Sequence, residues 1–119
     1  MTSLSGRKIL VVEDETLVAM LVEDTLMDAG ATVVGPVATV AEALAVLRTD
    51  RPDVAVLDLN LAGETSEPVA DALKQMGIPF VVASGYGAAG LPPRHQDVPV
   101  LAKPYAPEDL TAALARLPG

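Results

Sequence analysis

Five short runs of apolar, mostly β-branched residues recur along the chain, at 9–12, 31–34, 54–57, 80–83 and 98–101. Four residues is short for a buried helix, so each run predicts a strand. The runs are continuous rather than alternating, which predicts a parallel sheet covered on both faces. Between them the apolar spacing turns helical. Val18, Leu21, Val22 and Leu26 form one stripe, and Val40, Ala43, Leu44 and Leu47 a second. Val69, Ala72, Leu73 and Met76 form a third, and Leu110, Ala113, Leu114 and Leu117 a fourth. Each stripe suits one face of a helix laid against the sheet.

The punctuation agrees with this division. Thr39 with Glu42 reads as a capping box. Pro107 suits a first helical position, followed by Glu108 and Asp109 at the positive end of the dipole. Gly30 and Gly77 close the first and third helices. Segment 85–95 is the exception, because Gly85, Gly87, Gly90, Pro92 and Pro93 leave the fourth helix degenerate. The order βαβαβαβ, then βα, with right-handed crossovers predicts an α/β, flavodoxin-like, doubly wound five-stranded parallel sheet. Its predicted strand order is 2-1-3-4-5. Pro36 and Pro99 put the second and fifth strands at the edges, since proline cannot donate to a ladder.

Composition narrows the function. The 119 residues carry 8 Lys+Arg against 16 Asp+Glu, a net charge of −8, which argues against nucleic acid and against anionic membrane surfaces. There is no cysteine and one histidine, so thiolate chemistry and multi-histidine metal sites are excluded. Phe80, Tyr86 and Tyr105 are too few for a base-stacking platform. No apolar run approaches the ~18 residues of a membrane span, and no signal peptide is visible, so the expected location is cytoplasmic. The length fits one domain, residues 1–119 with a core of about 7–117 and no output domain.

In open α/β sheets ligands bind beyond the carboxyl ends of the strands. The first strand here ends in Glu13-Asp14-Glu15, the third in Asp58, the fourth in Ser84 and the fifth in Lys103, whereas the second ends in Gly35-Pro36 and offers no such group. Singly, each has a plain structural role: Asp14 a helix cap, Asp58 and Ser84 turn residues, Lys103 a guard of an edge strand. Jointly, three carboxylates at one rim repel one another unless a hard divalent cation relieves them. Mg²⁺ typically takes one or two carboxylates, waters and a phosphoryl oxygen, and Lys103 can balance charge on a transferred phosphoryl group.

The set Glu13-Asp14, Asp58, Ser84 and Lys103-Pro104, in this strand order, resembles the receiver domain of bacterial two-component response regulators, whose fold is CheY-like. The stretch from Pro79 to Gly87 and the run Asp58-Leu59-Asn60-Leu61 with Gly63-Glu64 further resemble its FATGUY subgroup of single-domain receivers. The resemblance implies that Asp58 is the phosphoacceptor. It implies Mg²⁺ on Asp14, Asp58 and the backbone carbonyl of Asn60, with Glu13 direct or through water. It implies Ser84 and Lys103 on the phosphoryl group and a cis Lys103–Pro104 peptide. The implied partners are a histidine kinase, of the HWE class or a relative by the subgroup, or a phosphotransfer protein, and a downstream protein. Signalling would then run by contact, phosphorelay or phosphate sink.

Three positions depart from the family pattern. Val100 stands where an aromatic switch residue is common, Ser84 where threonine is usual, and segment 85–95 is short and Gly/Pro-rich. That segment is the expected element of readout. Tyr86 reads equally as a surface aromatic or as a modulator over the site. Tyr105 is expected to pack the last helix on the sheet, and His95 to be a solvated loop residue. Two other readings stay open: a Mg²⁺-dependent phosphatase with an aspartyl-phosphate intermediate, and an inert interaction module. The phosphatase pattern places its nucleophile after the first strand with a second Asp two residues on; here Thr16 follows Asp14.

Overall fold

The computed structural model describes residues 4–61, 63–85, 91, 95 and 97–117. Five strands form one sheet: β1 (Lys8–Val12), β2 (Thr32–Val37), β3 (Val54–Asp58), β6 (Phe80–Ser84) and β7 (Val100–Ala102). Their order is β2-β1-β3-β6-β7, with every pairing parallel. Counting these strands alone, this is the flavodoxin-like, CheY-like order 2-1-3-4-5, with β2, which carries Pro36, and β7, which Pro99 directly precedes, at the edges. Between β3 and α3 (Glu67–Met76) lies a small antiparallel hairpin, β4 (Asn60–Leu61) and β5 (Glu64–Thr65). Its two-residue strands carry no apolar run for sequence periodicity to register.

Alternate residues of the strands face opposite layers. Leu10, Val12, Ala55, Leu57 and Val82 pack with α2 (Val40–Thr49) and α3, whereas Ile9, Val11, Val54, Val56 and Val81 pack with α1 (Thr16–Asp28) and α4 (Pro107–Ala115). β3 is buried at every residue, as a central parallel strand requires. Thr39 caps α2: its Oγ1 accepts from the Glu42 N–H, and Glu42 Oε1 accepts from the Ala38 N–H. Gly77 ends α3 with a φ of +71°, a left-handed value that favours glycine.

Three expectations change. In α1 the buried stripe is Ala19, Val22 and Leu26, while Leu21 is 52% exposed. Leu17, Met20, Leu21 and Met27 instead form a second, outward apolar ridge at helical spacing. The second strand reaches past Gly35–Pro36, and the last begins at Val100, two residues after the expected start. His95 is buried rather than solvated: an edge-on Phe80 ring and the Asp71 carboxylate shield it. The expected degenerate fourth helix falls mostly on residues outside those described.

Candidate functional site

The carboxyl end of the sheet assembles the polar residues through backbone pairing. β1 ends at Val12, and the Glu13 N–H donates to the Val37 carbonyl of β2 at 2.9 Å. That bond needs an irregularity in the pairing, because the register between β1 and β2 shifts after Leu10. Gly35 supplies it with a φ of +95°; a Cβ there would meet the Val37 nitrogen at 2.9 Å and the Val11 oxygen at 3.1 Å. The second strand therefore does contribute to the rim, through a backbone carbonyl rather than a side chain. Glu13 Oε1 then accepts from the Glu15 N–H at 3.0 Å, which turns the chain into α1.

Asp58 closes β3 and is buried, with the following Leu59 N–H held by the Ala83 carbonyl at 3.0 Å. The Lys103 N–H donates to the Ser84 carbonyl at 3.0 Å, so the parallel ladder sets lysine beside serine. The Lys103 ammonium donates to Asp58 Oδ2 at 3.0 Å and Glu13 Oε2 at 3.3 Å, with Glu15 Oε1 at 3.9 Å. One carboxylate oxygen each from Glu13, Asp14 and Asp58 lies within 4.8 Å of the others. Hard oxygen donors at this spacing, with Asp14 half-buried and able to admit water, fit a magnesium ion.

Burial pushes the Glu13 carboxyl up to about 7, and the Asp58 carboxylate adds to it; the Glu15 N–H and Lys103 oppose the rise. Burial alone would lower Lys103, but the hydrogen bond and charge of Asp58, then Glu13, hold its ammonium above the usual lysine value. Tyr105 is half-buried against the α1–α4 layer, where burial and the Glu13 charge raise its hydroxyl.

Asn60 is exposed in β4, Ser84 is buried at the end of β6, and Val100 is half-buried opposite Val82. The Lys103–Pro104 peptide is cis, and so is Gly35–Pro36. Tyr86 lies outside the described residues. A groove of about 350 Å³ adjoins the rim, with Glu15, Val18 and Leu21 on one wall and Lys103, Pro104 and Tyr105 on the other. A larger cavity of about 570 Å³, bounded by Lys74, Phe80, Asp97 and Arg116, lies at the amino ends of β6 and β7, away from the carboxylates. Sequence reasoning missed the Val37 carbonyl and Glu15. The Gly-Pro pair was a legible sign of a strand irregularity, and Glu15 stood in the acidic run.

A parallel sheet in this order, with carboxylates on its first and third strands and a lysine after its last, defines a receiver-type signalling module. The chain belongs to the response regulator receiver domain family, whose model matches residues 9–115. It is similar to the solution structure of SdrG from Sphingomonas melonis Fr1, with a TM-score of 0.80, 46% identity and 97% of each chain covered. It is likewise similar to the BeF3-activated conformation of SdrG, with a TM-score of 0.77, 45% identity and again 97% of each chain. The phyllosphere-induced regulator PhyR of Methylorubrum extorquens is 30% identical over 113 residues, 92% of this chain but only 42% of PhyR. The chain thus spans less than half the length of that relative. Among the described residues no helix is long and apolar enough to cross a membrane.

Proposed function

We propose that this receiver accepts a phosphoryl group on Asp58 from a phosphohistidine donor and passes the change on by protein–protein contact. The carrying observation is the buried Asp58 carboxylate, bonded to Lys103 at 3.0 Å within the three-carboxylate cluster. An Asp58 oxygen attacks phosphorus; the new P–O bond forms as the donor's P–N bond breaks, and the leaving imidazole takes up a proton. Asp14, Asp58 and the Asn60 carbonyl would hold Mg²⁺, with Glu13 direct or through water. Bound there, Mg²⁺ would offset charge on the carboxylates and the transferred group. Lys103 exchanges its bond to Asp58 for one to a phosphoryl oxygen, and Ser84 donates its hydroxyl to another. The residues hold an acyl phosphate rather than turn over a substrate. The similarity to a BeF3-activated receiver supports this reading, since that anion mimics a phosphoryl group.

The apolar ridge of α1 suits the donor protein. Leu17 is 81% exposed, and the groove beside Leu21 opens directly onto Lys103. A helical partner, a histidine kinase or phosphotransfer protein, can bury this ridge while presenting its histidine to Asp58. The subgroup resemblance favours a kinase of the HWE class.

The test is intact mass after incubation with acetyl phosphate and Mg²⁺. The wild type gains one phosphoryl group, and chelation of the metal prevents it. Equal labelling of wild type and Asp58→Asn would overturn the assignment.

A further inference from the structure

A second polar contact lies beyond the rim, between His95 and α3. His95 Nε2 and Asp71 Oδ1 of α3 are 2.8 Å apart. The imidazole is buried, and its ring meets Phe80 edge-on, with centroids 6.3 Å apart and planes at 68°. With Nε2–H donating to the carboxylate, Nδ1 is left as a buried nitrogen with no partner among the described residues. Nearby, Lys74 of α3 donates to Asp97 at 2.8 Å, and Leu91 and Val98 are buried in the layer that holds Leu73 and Phe80.

A hydrocarbon ring would fill this space without leaving a nitrogen unsatisfied. His95 is buried and Asp71 partly exposed; a polar pair at such a place is a weak source of stability, and its best-attested use is to set a register or build a switch. Leu91 and Val98 already anchor this connection by apolar burial. What His95 adds is a directional bond from the connection between β6 and β7 to α3. That connection starts at Ser84, while α3 follows Asp58 through the β4–β5 hairpin. Two paths leave the rim, and the His95–Asp71 bond joins them again.

We propose that His95 is a positioning residue that couples the β6–β7 connection to α3, so that a change at Ser84 is transmitted to α3 through Asp71. This rests on the reading of Asp58 as phosphoacceptor. It also moves the expected readout: His95 is an anchor on α3, and the altered surface includes α3.

The test is amide NMR of the full chain with Mg²⁺ and beryllofluoride, comparing wild type, His95→Phe and Asp71→Asn. His95→Phe keeps a ring beside Phe80 and removes the bond, whereas Asp71→Asn keeps an acceptor oxygen. In wild type, amides at positions 13, 14, 58 and 84 shift, and those of 71–75 shift with them. In His95→Phe the first set shifts as before and the response at 71–75 is lost. Asp71→Asn retains it. The melting temperature of His95→Phe stays near that of wild type, which separates coupling from folding. If His95→Phe does not fold, Asp71→Ala removes the same bond from the side of α3, at a side chain that is 42% exposed. An undiminished response at 71–75 in the bond-breaking variant, or none there in wild type, overturns the coupling alone. No shift at 13, 14, 58 and 84 in wild type overturns the phosphoacceptor reading, and the coupling with it.

Discussion

The Lys103 ammonium stands 3.0 Å from Asp58 Oδ2 and spans the gap to Glu13 Oε2 at 3.3 Å. The lysine lies 90 positions from Glu13 and 45 from Asp58 in sequence, and its single cation holds both carboxylates. That cation offsets the charge of the Asp58 and Glu13 carboxylates at the rim. On the proposed function it also lies where negative charge would build up on a phosphorylated Asp58.

Lys103→Met therefore removes two functions at once. Labelling by acetyl phosphate should slow by roughly 100-fold, the typical cost of losing one charge-stabilising donor. The metal-free variant should also lose stability, on the order of 1–3 kcal/mol, below the range for a fully buried broken pair because the lysine is partly exposed. Intact-mass time courses and urea unfolding measure the two effects. A labelling rate equal to wild type would show that the ammonium does not act on the phosphoryl group.

The raised Glu13 carboxyl predicts a pH dependence of the metal-free protein. A carboxyl at about 7 when folded, against 4.5 unfolded, binds its proton more tightly in the folded state. Its contribution is complete below pH 4.5 and is lost as pH rises toward 7. Lys103, held above its ordinary 10.5, contributes throughout the neutral range and loses this only in alkali. Urea midpoints should thus fall between pH 4.5 and 7 and be flatter in Glu13→Gln. Mg²⁺ at ten times its dissociation constant should add about 1.4 kcal/mol near neutral pH. Asp58→Asn should gain less. A midpoint indifferent to both pH and Mg²⁺ would contradict the cluster.

The α1 ridge separates protein donors from small ones. Leu17→Asp and Met20→Asp change exposed positions and should leave the melting temperature within a few degrees of wild type. Transfer from a cognate kinase should fall about tenfold, the effect of losing ~1.4 kcal/mol of docking energy. Labelling by acetyl phosphate should be unchanged. Equal loss with both donors would place the defect in the site rather than in docking.

Gly35 tests how the second strand supports the rim. Gly35→Ala must either keep a φ of +95° or move Val37, whose nitrogen would lie 2.9 Å from the new Cβ. The expected loss is about 1–3 kcal/mol, as for a residue forced into a sparse backbone region. Val37 would withdraw its carbonyl from the Glu13 N–H, so that amide should exchange faster with solvent. Full stability with an unchanged Glu13 amide would remove the strand from the site's support.

The layers and their order were legible because both rest on local rules. Runs such as 54–57 and 80–83 are hydrophobic throughout, as strands buried on both faces must be. The stripe Val40, Ala43 and Leu47 marks a helix laid on a sheet, and Pro36 within β2 and Pro99 just before β7 mark the two edge strands. The terminal residues Glu13, Asp58, Ser84 and Lys103 followed from the ends of those runs. Tertiary contacts decided the rest. Leu21 and Ala19 lie two positions apart in one helix, and only the rotation of α1 against its neighbours settles that Ala19 is buried and Leu21 exposed. His95 sits among prolines and polar residues, a local context that reads as solvent-facing. Its burial depends on Asp71 and Phe80, distant in sequence, and periodicity carries no information about such a partner. The Lys103 bonds to Asp58 and Glu13 have the same origin: composition supplies the charges, but only the folded ladder between β6 and β7 brings them within hydrogen-bond reach.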